Sequence, residues 1–379
     1  MIKGAVAVLE VGSQKISCSV ACRGINDTFD IKALAECNYE GFSDADFFDT
    51  DSLSDAVLKT VKEAAVSAKT EIDKLYVTVP AEFSIVRTRE TYVPFERKKR
   101  IKKADVLDLH SKLTLSGGSD FVIANVSAVY YVLDDSRKVV NPIGQITTKL
   151  GGLLSYVLCE KYYYGLLKTI CKRAGVYNVE FISESLAENL LLKNDYGQSG
   201  LLIDVGYLTS SISVLKGNGL VFLKSFSYGG GHICAALMDE FKLDMPDAET
   251  LKRKINLGHD RKDLNGVYRI YRGDDSIEIS IQKANAAVRS SLDILAEKVD
   301  DALKECADLP DNGVFSLTGG GISFIRGGKE YLSSRIGYGL NVLAPRVPFT
   351  SKPDESAFFG ATDLALNISA GKIINHKNI

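Results

Sequence analysis

The sequence lacks an excess of either charge, since its 379 residues include 46 Lys and Arg and 48 Asp and Glu, for a formal net charge of −2. Nucleic-acid-binding domains usually carry a basic field, so we expect no nucleic-acid partner. The seven cysteines are odd in number and contain no C-x-x-C pair. Their scatter argues against a disulfide framework and a zinc site, and it predicts a reducing, cytoplasmic location.

Long apolar runs and histidine clusters are also missing. No stretch approaches the roughly 18 to 20 apolar residues that a membrane span needs, and the N-terminus has neither a charged leader nor a cleavage site, so we expect a soluble protein. The four histidines have no ligand spacing and no neighbouring Ser or Cys nucleophile. Metal-dependent catalysis and triad chemistry are therefore without support.

A strand-turn-strand signature occurs twice, first as VLEVGSQKISCSV and then, near the middle of the chain, as LLIDVGYLTSSISVL. Each copy has an apolar run, a carboxylate (Glu10 or Asp204), one residue, a glycine (Gly12 or Gly206) and a polar turn. Such a turn can present backbone amides to a phosphate, while the carboxylate holds a magnesium ion through water. Two such loops facing each other would clamp a nucleoside triphosphate.

Two further glycine-rich sequences accompany these loops. Gly229 and Gly230, in YGGGH, open a predicted helix whose N-terminus could meet the terminal phosphates; a flexible connection is the alternative. Gly319, Gly320 and Gly321 lie between a predicted buried strand and a helix, where bare backbone can approach a ring or a sugar; a tight packing turn is the alternative. The combination of both loops with the triplet favours nucleotide binding.

Charged side chains supply two weaker signals. Glu249 and Lys252 are three residues apart on a predicted helix and share a face suited to ribose hydroxyls and an adjacent phosphate or base, although a solvated salt bridge has the same spacing. The run RKKRIKK at residues 97–103 carries six positive charges. A solvated loop and helix start is the simpler explanation, and contact with an anionic membrane or an acidic partner is the other.

The strands around the two signatures repeat in the same order, which indicates duplication of a domain. They are predicted at residues 5–9, 15–21 and 30–36 in the first copy and at residues 201–203, 210–215 and 220–225 in the second. Between the copies, the pattern predicts a helix and a strand, and then a compact inserted module of short strands around one helix. The chain is long enough for two or more domains.

These features together resemble the actin-like ATPase superfamily and, within it, the FtsA family of bacterial cell-division proteins. VPAEFSIVR and NPIGQ, in the inserted module, resemble the part specific to FtsA, and DAETLKRKINLG resembles its nucleoside-contacting helix. The resemblance extends over nearly the whole chain. It implies an α/β, two-lobed actin-like ATPase fold of duplicated ribonuclease-H-like domains with an FtsA-type inserted subdomain.

The ligands implied by the resemblance are ATP and Mg²⁺, bound in the cleft between the lobes. The implied phosphate-binding residues are Glu10, Gly12, Ser13, Lys15, Asp204, Gly206, Thr209, Gly229 and Gly230. The implied adenosine-binding residues are Glu249, Lys252, Gly319, Gly320 and Gly321, and Glu10 and Asp204 would hold magnesium through water. No catalytic residue is assigned.

The implied domain organisation alternates between the lobes. It has a first-lobe core at residues 1–83, the inserted subdomain at 84–161, first-lobe helices at 162–195, a second-lobe core at 196–227, a small second-lobe subdomain at 228–310, the second-lobe core with the adenosine motif at 311–345, and a return to the first lobe at 346–379.

The implied function is that of a polymerising protein that links the FtsZ division ring to the cytoplasmic membrane. Its partners would be further copies of itself, the FtsZ C-terminal tail or an equivalent, other proteins of a division or membrane machine, and an anionic membrane surface at the division site. A PilM-like scaffold of a pilus or another membrane machine is the first alternative. A small-molecule kinase of the same superfamily is the second, although no acidic position beyond the two loops stands out for it.

Three departures from the family pattern refine these expectations. Glu10 stands where the superfamily usually has aspartate. YLT after Gly206 replaces a glycine-rich sequence, so fewer unhindered amides face the phosphates and hydrolysis should be slow or absent. The helix predicted at residues 356–368 is followed only by residues 369–379, a poor membrane anchor. Membrane association should therefore be indirect or use the basic run.

Overall fold

A computed structural model describes residues 4–112, 119–196, 199–258, 266–273, 275–309, 314–347 and 351–373. Its strands form two five-stranded sheets, one four-stranded sheet and two small hairpins within these ranges. No helix in the described part of the chain is long and apolar enough to cross a membrane. The predicted weak membrane tail falls largely on residues 374–379, which lie outside the described residues.

The first lobe begins with an antiparallel meander that continues into a long helix. Its elements are β1 (Val6–Val11), β2 (Lys15–Arg23), β3 (Phe29–Asn38), the short pair β4 (Phe42–Ser43) and β5 (Asp46–Phe47), α1 (Thr50–Ala68) and β6 (Lys74–Val79). Asp49 caps α1, because its carboxylate accepts hydrogen bonds from the amides of Asp51 and Ser52. Leu53 and Val57, four residues apart, bury one face of this helix against the sheet.

An inserted unit follows β6. It contains β7 (Ser84–Arg100), α2 (Lys103–His110), β8 (Phe121–Val132), β9 (Lys138–Val139) and β10 (Ile146–Glu160). The four strands form an antiparallel sheet in the order β7-β10-β8-β9. Val106 and Leu109 of α2 share a core with Leu150 and Leu154 of β10. The helix therefore covers one face of this sheet.

The chain then returns to the first lobe. It forms α3 (Lys161–Arg173), β11 (Asn178–Ser183) and α4 (Glu184–Tyr196). The completed sheet has the order β11-β6-β1-β2-β3, in which β6 pairs with β1 in parallel and β11 pairs with β6 in parallel. One face packs against α1 and α3. The carboxyl ends of β1, β6 and β11 thus lie at one edge, which is where sites form in such sheets.

The second lobe repeats this plan. Its elements are β12 (Ser199–Val205), β13 (Ser210–Lys216), β14 (Gly219–Phe226), α5 (Gly230–Phe241), α6 (Met245–Lys254), β15 (Val267–Arg272), β16 (Asp275–Ser280), α7 (Ile281–Lys304), β17 (Val314–Thr318), α8 (Gly328–Ile336) and β18 (Gly339–Val342). The sheet order β14-β13-β12-β17-β18 reproduces that of the first lobe, which confirms the predicted duplication. Finally α9 (Ser356–Ser369) packs against α4 in the first lobe.

The lobes also meet away from the sheet edges, where the turn between β13 and β14 contacts the inserted sheet. The amide of Asn218 in this turn donates to the carbonyl of Ala128 at 3.1 Å. The hydroxyl of Ser155 donates to the carbonyl of Leu220 at 2.5 Å. The inserted unit therefore joins the first lobe to the second.

Some expected elements differ from the observed ones. The start of the basic run was expected in a loop, but residues 97–100 belong to β7, which continues to Arg100 because β10 pairs with it to that point. The helix expected directly after the glycine triplet begins only at Gly328, and turns occupy the intervening residues. The hairpin of β15 and β16 was not predicted, although Tyr268 and Ile270 flank Arg269 in an alternating pattern and are buried.

Candidate functional site

The two signature loops have the same backbone geometry. The amide of Gly12 donates to the carbonyl of Lys15 at 3.0 Å, and the amide of Gly206 donates to the carbonyl of Thr209 at 3.0 Å. Each loop is thus a two-residue turn between antiparallel strands that pair up to its edge. The repeated letters in the sequence therefore correspond to a repeated structure.

The loops face each other across a cleft between the lobes with a volume of about 500 Å³. This volume is in the range of small-molecule sites, roughly 300 to 1,000 Å³. The predicted site residues that line it are Glu10, Gly12, Ser13, Lys15, Asp204, Gly206, Thr209, Glu249, Lys252, Gly319, Gly320 and Gly321. Residues that are far apart in sequence are brought together here.

The glycines of the YGGGH sequence lie differently. Gly229 and Gly230 are not among the residues that line the cleft. The amide of Gly230 donates to the carbonyl of Gly206 at 2.9 Å, and a Cβ on Gly230 would stand 2.7 Å from the Cα of Gly321. These glycines allow the start of α5 to pack closely against the second loop and the glycine triplet.

Burial changes the protonation of the two loop carboxylates. It raises the pKa of Glu10 from 4.5 to about 7, with the nearby Lys15 opposing the change. It raises the pKa of Asp204 from 3.8 to about 6. Lys15 itself forms an ion pair with Glu36 and remains about half exposed. It therefore stands at the margin of the cleft.

Three further carboxylates, which the sequence did not single out, line the same cleft: Glu82, Glu184 and Glu188. Burial raises the pKa of Glu82 to about 7 and raises the pKa values of Glu184 and Glu188 well above 4.5. The expectation that no acidic position stands out beyond the two loops was therefore wrong. The one available signal was the spacing of Glu184 and Glu188, which puts both on one face at the start of α4.

This acidic floor suits a hydrated divalent cation. Carboxylate oxygens are the ligands that Mg²⁺ prefers, and the ion usually retains several waters. No group of three or more His, Cys, Asp or Glu side chains in the described ranges is arranged to hold a metal by itself. Glu184 Oε2 is buried and has no hydrogen-bond partner among the described residues. The donor set therefore fits an ion held through water and a second ligand rather than a closed metal cage.

The opposite wall of the cleft combines a buried ion pair with apolar side chains. Lys252 is almost fully buried and lies 2.7 Å from Glu249, and its ammonium donates to the carbonyl of Gly230 at 3.3 Å. The guanidinium of Arg253 lies 4.6 Å from the centre of the Phe324 ring. An uncharged ring could pack against Phe324, while hydroxyl groups could reach the Glu249 carboxylate.

The glycine triplet sits directly beside the second-loop carboxylate. Gly319 has φ +87°, and a Cβ there would collide with Asp204 Oδ1. The amide of Gly321 donates to the carbonyl of Val205 at 2.7 Å. Glycine at position 319 is thus required both by backbone conformation and by the close approach of the carboxylate.

Comparison with known proteins agrees with this architecture. The chain is similar to the cell division protein FtsA of Escherichia coli strain K12, with 19% identity over 315 residues that cover 82% of this chain and 73% of the relative. FtsA of Agrobacterium fabrum is 22% identical over 345 residues, covering 86% of this chain and 77% of that protein. A family profile for the type IV pilus assembly protein PilM matches residues 173–265.

Solved structures give the same fold. A PilM–PilN type IV pilus biogenesis complex superposes with a TM-score of 0.64 at 15% identity, covering 95% of this chain and 98% of that one. MreB5 of Spiroplasma citri bound to ADP superposes with a TM-score of 0.58 at 13% identity, covering 97% and 98%. The chain therefore has the two-lobed actin-like ATPase fold. Within that class it resembles FtsA along most of its length.

Proposed function

We propose that the cleft binds ATP with Mg²⁺. The observation that carries this proposal is the pair of matching loops, which place Glu10 and Asp204 on the same cavity from opposite lobes. The turns at Ser13 and Gly206 would hold the phosphates, and the two carboxylates would orient water on the metal ion. MreB5 of Spiroplasma citri, which shares the fold, has been solved with ADP and with AMPPNP.

The same proposal assigns the other wall to the nucleoside. Glu249 and Lys252 would contact the ribose, while the bare backbone at Gly319, Gly320 and Gly321 would lie against the adenosine. Gly229 and Gly230 would not contact the nucleotide; they would hold the second loop in place through their packing. Bound magnesium would supply charge neutralisation for the phosphates.

Isothermal titration with Mg-ATP tests this assignment. Asp204→Ala should weaken binding strongly, because the second loop loses the carboxylate that orients metal-bound water. Asp239→Ala, at an exposed position on α5, removes the same charge away from the cleft and should leave the affinity unchanged. Wild-type affinity in the folded Asp204→Ala protein would show that the carboxylate serves only the turn.

The biological role that we propose is FtsA-like. The protein would assemble into filaments, bind the C-terminal tail of the tubulin-like protein FtsZ through the small subdomain of the second lobe, and link the division ring to the inner face of the cytoplasmic membrane. In this view residues 84–161 form the inserted subdomain and residues 228–310 form that small subdomain. Similarity to FtsA across more than four fifths of the chain supports this role.

A PilM-like scaffold is the second candidate, and specific observations favour it. The family profile that matches residues 173–265 is that of PilM, and the PilM–PilN complex superposes over 95% of this chain. The partner would then be the PilN counterpart of a pilus or similar machine. Binding assays with the FtsZ tail and with the PilN counterpart from the same organism separate the two roles, because each role predicts binding to one and not the other.

A small-molecule kinase of the same superfamily is the third candidate. The buried carboxylates Glu82, Glu184 and Glu188 supply groups that could accept a proton from an acceptor hydroxyl, so this candidate has more support from the structure than from the sequence. Phosphate transfer from ATP to a panel of sugars and other hydroxyl compounds tests it. If phosphate transfer to one of these compounds is faster than ATP hydrolysis, a kinase function would take the place of the two scaffold roles.

A further inference from the structure

The basic run of β7 lies beside exposed aliphatic side chains at the far end of the inserted sheet. Arg100 and Ile146 are directly opposite each other on β7 and β10, so their side chains project from the same face. The guanidinium of Arg100 donates to the carbonyl of Gly144 at 2.9 Å. Ile143 precedes this glycine at the corner of a turn closed by the Asn141 side chain.

The structure divides the six positive charges of the run into engaged and available groups. Lys99 pairs with Asp105 at 2.6 Å, Lys103 donates to the carbonyl of Gly371 at 3.1 Å, and Arg100 donates to the carbonyl of Gly144. The side chains of Arg97, Lys98 and Lys102 are exposed and make no hydrogen bond or ion pair with the described residues. We call Arg97, Lys98, Arg100, Lys102, Ile143 and Ile146 the basic tip.

Acidic groups near the basic tip do not cancel its charge. Asp105 is paired with Lys99 as described and also attracts Lys102, and Asp135 pairs with Arg137 at 2.6 Å. The carboxylate of Asp134 accepts hydrogen bonds from the amide and hydroxyl of Thr148 at 2.8 and 2.7 Å, although it also attracts Lys98. Glu96 is exposed on the same strand. The basic tip therefore retains a net positive charge.

The aliphatic side chains point to the kind of surface that the basic tip meets. Ile143 is 47% exposed and Ile146 is 55% exposed, beside cations rather than beside a covering helix. Positive charge together with aliphatic side chains that project from a turn is the combination found at membrane interfaces, where the cations meet headgroups and the apolar groups enter the acyl boundary. The two exposed isoleucines therefore favour a bilayer over a partner that supplies negative charge alone.

The basic tip is also separated from the contact between the inserted sheet and the second lobe. Ser155 of β10 contacts the second lobe, and Ile146 lies nine residues away on the same strand, about 30 Å at 3.3 Å per residue. A flat surface could therefore contact the basic tip without displacing the second lobe.

We propose that the basic tip docks the protein directly on an anionic phospholipid bilayer. This inference deepens the membrane role proposed above, but it involves no residue of the cleft and its test needs no nucleotide. Failure of the docking would therefore be distinguishable from failure of ATP binding. Each Lys or Arg near an anionic leaflet contributes about 1 kcal/mol to the free energy of membrane binding. A change of about 1.4 kcal/mol alters a binding constant tenfold, so the loss of three cations should lower the partition coefficient by about 100-fold.

Vesicle co-sedimentation with the full chain tests the proposal. The vesicles contain phosphatidylglycerol and phosphatidylcholine in equal parts, or phosphatidylcholine alone. The wild type should bind only the anionic vesicles, and less well as salt rises. The variant Arg97→Gln, Lys98→Gln, Lys102→Gln should lose binding. The matched variant Lys59→Gln, Lys62→Gln, Lys172→Gln removes three exposed cations from α1 and α3 and should bind like the wild type.

Two more variants test the apolar part and the competing anchor. Ile143→Ser with Ile146→Ser should weaken the binding that remains at high salt, where charge attraction is screened. Deletion of residues 374–379 should leave binding intact. Thermal unfolding confirms that each variant is folded. The proposal is overturned if the wild type does not bind anionic vesicles, if both triple variants bind equally, or if the deletion alone abolishes binding; the first result would favour an acidic protein as the partner.

Discussion

The amide of Leu208 in the second lobe donates a hydrogen bond of 3.1 Å to the hydroxyl of Ser13 in the first lobe. The flanking residues of the same loop also cross the cleft. The side-chain amide of Gln14 donates to the phenol oxygen of Tyr207, and the hydroxyl of Thr209 donates to Glu82 at 3.3 Å. Three consecutive residues thus hold the second loop against the first lobe. If phosphates bind between these loops, they must take the place of some of these contacts.

We expect Ser13→Ala to weaken Mg-ATP binding by five- to tenfold. The reason is that a phosphate bound between the loops would displace the Leu208 amide, and the Ser13 hydroxyl could then donate a hydrogen bond to that phosphate. One such hydrogen bond contributes about 1 kcal/mol. Titration calorimetry measures the change. Ser67→Ala, on the exposed face of α1, is the control and should have no effect. An unchanged affinity for Ser13→Ala would mean that the phosphates do not reach the first turn.

The affinity for Mg-ATP should fall as the pH decreases from 8 to about 5.5. Burial raises the pKa of Glu10 to about 7 and that of Asp204 to about 6, so both carboxylates bind protons in this range, whereas a cation requires them ionised. Each proton released on binding changes the Mg-ATP affinity by up to about tenfold per pH unit. Above both pKa values the affinity should level off.

The terminal phosphate of ATP titrates near the same pH, at about 6. Glu10→Gln therefore serves as the reference, since it removes one protein group and leaves the ligand unchanged. Its pH profile should be shallower than that of the wild type. Parallel profiles would contradict a role for Glu10 in holding the cation.

ATP turnover should be slow, on the order of one per minute or less, against typical enzyme values of about 10 per second. The contacts of Tyr207 and Thr209 narrow the space at the loops, and burial keeps the pKa of Glu184 well above its usual range. Glu184 is nevertheless the best placed base, because its Oε2 atom has no hydrogen-bond partner among the described residues.

Glu184→Gln should therefore lower steady-state phosphate release by at least about tenfold while leaving the Mg-ATP affinity nearly unchanged. Phosphate release and calorimetry on the same preparation separate these two effects. Equal loss of affinity and turnover would indicate that Glu184 holds the metal ion. Rapid release by the wild type would show that the loop contacts do not limit the reaction.

Gly217→Ala should destabilise the contact between the second lobe and the inserted unit. This glycine has φ +61°, and a Cβ there would collide with the carbonyl of Val129. The positive φ alone costs about 1 to 2 kcal/mol, and the collision adds to it. Gly337→Ala has a similar φ of +74° with no atom near the added Cβ, so it measures the conformational cost alone. The melting temperature should fall further for Gly217→Ala.

Much of the site was predictable because it depends on local sequence. Glycine after a carboxylate at the end of an apolar strand predicts a tight turn, and the structure contains that turn twice with the same hydrogen bond. The duplicated strand order followed from the repeated pattern, since the same alternation of apolar residues pairs the same neighbours. The two-lobed actin-like fold class was implied by the resemblance of these motifs to the actin-like ATPase superfamily.

Tertiary structure decided which groups meet. Glu82 has no distinctive local pattern, and it forms a buried acidic floor with Glu184 and Glu188 only because β6 and β11 end at the same edge of the first-lobe sheet. In the same way, Gly230 packs closely against Gly321, and Lys99 forms an ion pair with Asp105. The sequence by itself determined the turns, the repeat and the fold. Burial and proximity across distant segments, which local pattern does not encode, determined the charge state of the cleft and the free cations of the basic tip.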